Sequence, residues 1–244
     1  MKAIYKRELR AYFKTPVGYI FLSVFIFFAA LMFVFINMGA QQTSMSSFFS
    51  NVGLIFVFVI PVLTMRLFSE ERKSKTDQLL LTAPVRVSDI VFGKFLAATT
   101  VLLIGVAATM LFVPIMELYG TPAVAETLVG YLGLFLLGVF FVALGMFMSS
   151  VTESQVIAAV STLGILMALW LLSGMSLQFS EILAGSLHFL GAGLDWLLDF
   201  ISINARLYDF TLGTLNFVPV FYFLSLAGLF VFLTIRVIER RHWK

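Results

Sequence analysis

The stretch TPVGYIFLSVFIFFAALMFVFINMGAQQTSMSSFFSNVGLIFVFVIPVLTM, residues 15–65, carries no charged side chain. It is too long for one membrane-spanning helix, which needs about 20 apolar residues. The polar run NMGAQQTSMSSFFSN, residues 37–51, divides it. We therefore expect two membrane-spanning helices joined by a short turn, at about 17–36 and about 50–67.

Four further uncharged runs follow along the chain. They lie between positions 94 and 117, 126 and 153, and 153 and 181, and from 210 to 235. The chain as a whole is 61% hydrophobic and 12% charged, which is outside the range of soluble globular domains. The sequence therefore predicts an all-α polytopic membrane protein with six transmembrane helices, forming a single transmembrane domain over residues 1–244.

The basic residues are distributed unevenly between the two sides of the membrane. Of the 16 Lys and Arg residues, all but Arg206 lie in the segments 2–14, 66–94 and 236–244. The opposite loops contain Arg206 together with Glu117, Glu126, Glu181, Asp195, Asp199 and Asp209. Because cytoplasmic loops carry the excess of Lys and Arg, we expect both termini and the 68–94 loop to be cytoplasmic.

Residues 2–14 form a pattern that is typical of an amphipathic helix. The basic and the apolar positions fall on different helical faces, the former being Lys2, Lys6, Arg10 and Lys14 and the latter Tyr5, Leu9 and Tyr12. Such a helix is expected to rest in the cytoplasmic membrane interface, with Tyr12 as an interfacial anchor. No cleavable apolar segment follows the basic start, so we expect this helix to be retained.

A second amphipathic segment is predicted on the external side, at 178–214, between the fifth and sixth spans. Its polar residues recur at spacings of 4, 3, 4 and 3 within LDWLLDFISINARLYDF: Asp195, Asp199, Ser202, Arg206 and Asp209. This spacing predicts one polar stripe on helices that lie at the outer surface or dip into the membrane. Such a segment could gate an external exit or serve as a structural cap.

Catalytic and cofactor motifs are missing from the sequence. There is no G-x-x-x-x-G-K-[ST] loop for ATP, no H-E-x-x-H zinc motif and no cysteine. We therefore expect no catalytic site, bound cofactor or metal in this chain, and no nucleic-acid partner. Uncharged spans also disfavour an ion-coupled carrier, although serine, threonine or backbone groups could still hold an ion.

The loop FSEERKSKTDQLLLTAPVRVSDIVFGK, residues 68–94, concentrates charge in this apolar chain. Its mixed-sign start, Glu70 to Lys73, suits a protein partner better than lipid. The three leucines 79–81 then expose an apolar surface, which ends before Pro84 because proline disfavours helix in the residue preceding it. The plain alternative is a solvated loop that only sets topology.

The motif FSEERK, followed by Thr76, Leu79-Leu80, Ala83-Pro84-Val85 and Gly93-Lys94, resembles the sequence after the second span of ABC-2 type ABC-transporter permeases. It is most similar to the gliding-motility-associated, GldF-like branch. The family's N-terminal elbow helix and first span resemble residues 6–21, KRELRAYFKTPVGYIF. Its last external segment resembles residues 202–216, SINARLYDFTLGTLN, and its sixth span resembles residues 221–243, FYFLSLAGLFVFLTIRVIERRHW. The chain departs from the family at one point in this loop. Where the family usually has Gly-Thr-x-Glu, this chain has Lys75-Thr76-Asp77-Gln78.

The resemblance implies a coupling element at 68–94 that docks onto a separate cytoplasmic ATPase, which binds ATP and Mg. The residues it assigns to coupling are Glu70, Glu71, Arg72, Thr76, Leu79, Leu80, Pro84 and Lys94, with Thr152, Glu153 and Ser154 as a second, smaller contact. A plain tight turn is the alternative for that second loop. A second permease half, identical or homologous, would complete the complex in a bacterial cytoplasmic membrane.

Two functions are compatible with these features. The first is the membrane subunit of an ATP-driven transporter that exports or extracts an amphiphilic substrate. The second is a non-transporting membrane scaffold that transmits force from an ATPase to an envelope process. ATP-dependent movement of a substrate would separate the two.

The charge distribution leads to a topology prediction. Because the chain has no cysteine, a single introduced cysteine reports its own location. A cysteine within 176–181 should react with a membrane-impermeant maleimide added from outside, whereas one at Ser74 should react only after the membrane is opened. If the cysteine within 176–181 were labelled only from the cytoplasmic side, the predicted topology would be wrong.

Overall fold

The computed structural model describes residues 1–39, 44–75, 86–118, 123–174, 202–214 and 216–242. Within these ranges the regular secondary structure is helical and includes no strand. The helices are α1 (Lys2–Lys14), α2 (Pro16–Met32), α3 (Ser46–Thr64), α4 (Ser69–Lys73), α5 (Val87–Thr109), α6 (Phe112–Met116), α7 (Val124–Val151), α8 (Gln155–Gly174), α9 (Ile203–Thr211) and α10 (Phe217–His242).

Six stretches of these helices are long and apolar enough to cross a membrane. They are Pro16–Met38, Ser46–Lys73, Val87–Met116, Val124–Val151, Gln155–Ser173 and Phe217–Arg240. The predicted all-α, multi-pass fold with six spans is thereby confirmed for the part of the chain that the structure describes. The first helix occupies residues 2–14, the range that its amphipathic pattern indicates.

The first span ends in a π-helical segment, Phe33–Met38. Its wider turn is closed by a hydrogen bond from the N–H of Gly39 to the carbonyl of Val34, at 2.8 Å. Asn37 is buried within this segment, and its side-chain amide donates to the carbonyl of Ser44 at 2.9 Å. This bond ties the end of the first span to the start of α3.

The last span begins at Phe217, just beyond the external segment that the sequence predicts at 178–214. The uncharged run starts at Phe210, but Phe210 belongs to α9 and α10 starts at Phe217. Gly213 separates them with a φ of 74°, a left-handed conformation that glycine adopts readily. A Cβ at this position would lie 2.9 Å from the Cα of Glu126, so the chain turns close against α7. The absence of charge marked an apolar run, not the start of a helix.

The fourth span, α7, is the central helix of the bundle. Its most apolar window is 83% buried, compared with 67% for the span that contains α3 and 17–39% for the other four. It contacts α3, α5, α8, α9 and α10. The remaining spans therefore surround α7 and α3 and expose large apolar surfaces, as expected of helices that face lipid.

Glycines allow the neighbouring helices to approach α7 closely. A Cβ at Gly138 would lie 2.6 Å from Leu102 of α5, and one at Gly145 would overlap the hydroxyl of Thr64 in α3. Small residues serve this purpose in many membrane helix contacts. Both glycines thus pack against helices of the same chain.

A side chain at position 133 should destabilise the bundle. A Cβ on Gly133 would lie 2.5 Å from the Cβ and Cγ of Phe210, and these atoms are too close to the backbone of α9 to move aside easily. We expect Gly133→Ala to lower the free energy of unfolding by about 1–3 kcal/mol, the usual cost of overpacking. The measurement is the midpoint of thermal unfolding in detergent.

Gly164→Ala is the matched control, because no atom lies within 4 Å of the position its Cβ would take. This variant should equal or slightly exceed the wild type, since alanine is favoured over glycine inside a helix by about 0.5–1 kcal/mol. Equal midpoints for the two variants would show that α9 yields at Phe210 without loss of stability.

Candidate functional site

The first helix is bonded to two of the spans. The hydroxyls of Tyr5 and Thr100, in α5, lie 3.1 Å apart, and buried Tyr12 donates to the carbonyl of Leu63 in α3 at 3.0 Å. Burial raises the pKa of Tyr12 above its usual range, so its phenol stays protonated and remains a donor. The apolar face that was expected to rest in the membrane interface packs on the protein, with Leu9 beside it. Tyr12 is therefore a buried contact and not an interfacial anchor.

The lack of a side chain at Gly93 allows α1 to pack closely against α5. A Cβ at Gly93 would lie 2.9 Å from Cγ2 of Ile4 and 3.4 Å from the backbone nitrogen of Tyr5. Because α5 presents only backbone at position 93, α1 can lie directly against it. The next residue of α5 is Lys94, which brings a charge to the same contact.

Four charged side chains meet where α1, α4 and α5 come together: Arg7, Glu8, Glu71 and Lys94. We call them the charge cluster. The Nζ of Lys94 lies 3.0 Å from Oε1 of Glu71 and 3.3 Å from Oε1 of Glu8. Arg7 Nη2 lies 2.6 Å from Oε1 of Glu8 and 3.0 Å from Oε1 of Glu71. Two cations thus share two carboxylates, and their formal charges cancel.

Lys94 is the most buried member of the charge cluster. Its side chain is 2% exposed, and a charge so far from water is stable only when it is paired. The ring of Phe68 adds a cation–π contact, with its centroid 5.2 Å from Nζ. Lys94 therefore lies at the centre of the site, although the motif placed it only at the end of the loop.

The hydroxyl of Ser149 joins the end of α7 to the start of the 68–94 loop. It accepts hydrogen bonds from the N–H groups of Phe68 at 3.1 Å and Ser69 at 3.2 Å. It also donates to the carbonyl of Met65 at 3.0 Å. Backbone groups at a helix boundary lack partners within the helix, so this one buried side chain satisfies three of them between α3 and α4.

The two predicted cytoplasmic contacts touch each other. Arg72 Nη2 lies 2.7 Å from Oε1 of Glu153, and Arg72 Nη1 donates to the carbonyl of Val151 at 2.9 Å. The hydroxyl of Thr152 lies 3.5 Å from the carbonyl oxygen of Ser154 within the turn. The first loop therefore rests on the second through Arg72.

Glu70 also has a partner within the chain. It accepts two hydrogen bonds from Arg66 one turn earlier, at 2.6 Å from Nε and 2.5 Å from Nη2. The structure thus places Glu70, Glu71, Arg72 and Lys94 together at the base of the loop. The other predicted coupling residues, Thr76, Leu79, Leu80 and Pro84, lie outside the described residues.

The external polar stripe is described only from residue 202 onward, so Asp195 and Asp199 lie outside the described ranges. Ser202 was expected on the stripe but is a buried N-cap of α9, whose hydroxyl accepts from the N–H of Ala205 at 3.3 Å. The guanidinium carbon of Arg206 lies 5.7 Å from the centroid of the Tyr222 ring. Asp209 is half-buried, and the stripe as a whole stays a prediction.

Three residues of this site were not predicted from the sequence: Arg7, Glu8 and Ser149. One signal was available for Glu8, which is the one acidic residue before Glu70. A lone carboxylate in a basic helix indicates a specific partner. Nothing comparable marks Ser149, because a serine at the end of an apolar helix has no pattern that names its partners.

Loss of the Lys94 charge should destabilise the protein. Lys94→Met would leave Glu8 and Glu71 with Arg7 as their shared cation. Removing one partner of a buried pair costs about 3–5 kcal/mol, and we expect the lower end because the carboxylates are 14% and 20% exposed. Thermal unfolding in detergent would record the loss, and adding Glu71→Gln to Lys94→Met should restore part of it.

The matched control is Arg236→Met. Arg236 lies 3.0 Å from Glu239, and the side chains are 60% and 39% exposed, a setting in which an ion pair contributes about 0–1 kcal/mol. If Lys94→Met were as stable as Arg236→Met, the charge cluster would not be a structural requirement.

The sequence model of the family described as ABC-2 family transporter protein matches residues 2–241, a range that takes in α1 to α9 and nearly all of α10. A comparison with curated proteins gives no match. The matched range includes α1, α4, the charge cluster and both loops that meet at Arg72. The chain belongs to the ABC-2 family of transporter proteins, as a membrane-spanning permease component that is not itself catalytic.

Proposed function

We propose that this permease couples ATP hydrolysis by a separate cytoplasmic ATPase to the movement of a substrate, by export or by extraction from the membrane. The observation that carries the proposal is the attachment of α4, at the start of the 68–94 loop, to the bundle. The charge cluster ties α4 to α1 and α5. Ser149 ties the preceding bend to α7. Arg72 ties the first loop to the second.

These attachments define separate roles within the loop. Glu70, Glu71 and Arg72 are paired within the chain, so they hold the base of the loop. The ATPase contact then falls to the residues that follow, Thr76, Leu79, Leu80 and Pro84, with Thr152, Glu153 and Ser154 beside the base as a second contact. A displacement of the loop by the ATPase would be transmitted through its base to several helices at once.

The proposed assembly contains two membrane halves and two ATPases, which bind ATP and Mg. Six spans with both termini in the cytoplasm make one half, and the second half is the same chain or a homologous permease. The Lys and Arg distribution supports this orientation in a bacterial cytoplasmic membrane. The loop motif and SINARLYDFTLGTLN support placement in the GldF-like branch.

A force-transmitting scaffold is the second candidate. The same rigid base would deliver an ATPase stroke to the envelope whether or not a substrate moves. An ATPase reading frame beside this gene would support both candidates, and the other neighbours would indicate the cargo or the process served. ATP-dependent substrate movement in reconstituted membranes would favour the transporter.

The leucines of the loop provide the test of coupling. Each leucine buried against the ATPase contributes about 1.5–3 kcal/mol, so Leu79→Asp combined with Leu80→Asp should weaken binding by roughly 100-fold or more. The measurement is retention of the ATPase on membranes that carry the variant, with expression and insertion of the permease checked in parallel.

Two controls belong to this experiment. Leu79→Met with Leu80→Met keeps the apolar volume and should retain the ATPase. Arg72→Ala should weaken binding only slightly, because its partners lie within the permease and it does not form the main contact. If the double aspartate variant inserts normally and keeps its ATPase at the wild-type level, the loop is not the coupling site.

A further inference from the structure

Two hollows open on the surface of the bundle beside α2, and we call them together the cleft. The first is an apolar groove of about 330 Å³, whose walls include Ile20, Val24 and Phe28 of α2 and Leu54, Phe58 and Val62 of α3. The second is a pocket of about 180 Å³ at the end that carries α1, with Glu8, Arg66 and Glu70 among its lining residues. An apolar groove with a charged pocket at one end is the shape of a site for an amphiphile.

The two parts lie near each other along α2 and at the end of α3. In α2, Val17 lines the pocket and Phe21, four residues later, lines the groove. Where α3 ends, Val62 lines the groove and Arg66 lines the pocket. Residues four apart are neighbours on one helix face, so along α2 the pocket lies one turn before the groove, and its other walls are α1 and the segment from Arg66 to Glu70.

The length of the groove matches one leaflet of a bilayer. Its lining residues in α2 extend from Ile20 to Met32, a rise of about 18 Å at 1.5 Å per residue. This is close to half of the hydrocarbon thickness of about 30 Å. Asn51 is the polar residue in the lining, and its amide donates to the carbonyl of Ser47 in its own helix at 2.8 Å. The groove therefore suits a single acyl chain that lies parallel to the helices.

The charges of the pocket select the headgroup. Arg66 is 26% exposed and Glu70 is 45% exposed, so both can reach a ligand at the surface. Two of the five guanidinium N–H donors of Arg66 serve Glu70, and the others can bind a phosphate. Carboxylate oxygens accept more than one hydrogen bond each, so Glu70 can also receive an ammonium group.

We propose that this cleft binds a zwitterionic glycerophospholipid whose headgroup ends in a primary ammonium, as in phosphatidylethanolamine. One acyl chain fills the groove between α2 and α3, the phosphate binds Arg66, and the ammonium donates to Glu70. A choline headgroup has no N–H to donate, and a glycerol headgroup has no cation for the two carboxylates of the pocket. This site does not depend on coupling to an ATPase.

The experiment uses the full-length protein in detergent and native mass spectrometry. Phosphatidylethanolamine, phosphatidylcholine and phosphatidylglycerol with identical acyl chains are titrated separately. We expect the ethanolamine lipid to bind at least about tenfold more tightly than the other two, a difference of 1.4 kcal/mol. Soluble phosphoethanolamine, which has no acyl chain, should not compete.

Two variants divide the site into its parts. Val24→Trp fills the groove and should weaken binding of all three lipids by about tenfold, whereas Leu103→Trp should not. Leu103 is the matched control because it is an apolar residue on a different span, 48% exposed where Val24 is 37% exposed. Glu70→Gln should remove the preference for ethanolamine over choline and leave the binding of the choline lipid unchanged.

The opposite results would overturn the proposal. Equal affinity for the ethanolamine and choline lipids would show that the pocket does not recognise the headgroup. Tighter binding of the glycerol lipid would indicate an anionic lipid held by the basic face of α1. An unchanged affinity in Val24→Trp would place the acyl chain elsewhere. A thermal midpoint equal to that of the wild type for each variant keeps these outcomes separate from misfolding.

Discussion

A lysine amine that is almost closed off from water must keep carboxylates beside it, and this requirement determines how one end of the bundle is arranged. Lys94 lies in the first turns of α5, so both of its carboxylate partners come from other segments. Glu8 is supplied by α1 and Glu71 by α4. If either helix were displaced, the amine would keep only one carboxylate. A short amphipathic helix and a charged loop thereby acquire defined positions relative to the spans.

The spans could be predicted from the sequence because the bilayer imposes a simple demand: a helix that crosses it needs a long apolar run. The same signal does not by itself give the start of the last span, because the uncharged run from position 210 includes the end of α9. At that point the local backbone decides the boundary, through the positive φ of Gly213. Hydropathy reports the surroundings of a segment and does not report a turn inside it.

The sequence indicates where charged residues are concentrated but not which of them pair with one another. A concentration of charge marks the loop at 68–94, and the structure places Glu70, Glu71, Arg72 and Lys94 together at its base. Their partners come from distant positions, as in the pair of Arg72 with Glu153, and no spacing rule connects such residues. The amphipathic pattern of α1 showed that the helix has an apolar face. Whether lipid or protein covers that face depended on Gly93, whose importance appears only when α5 is in place.

The π-helical end of the first span has a consequence for the length of related chains. A π-helical turn holds more residues than an α-helical one, and it commonly occurs as a short insertion within an α-helix. The segment Phe33–Met38 can therefore be regarded as an α-helical ending that has gained one residue. Deleting one residue there would restore α-helical geometry and leave the register of α2 against its neighbours unchanged. Relatives that differ from this chain by a single residue near the end of the first span should accommodate the gap at this turn.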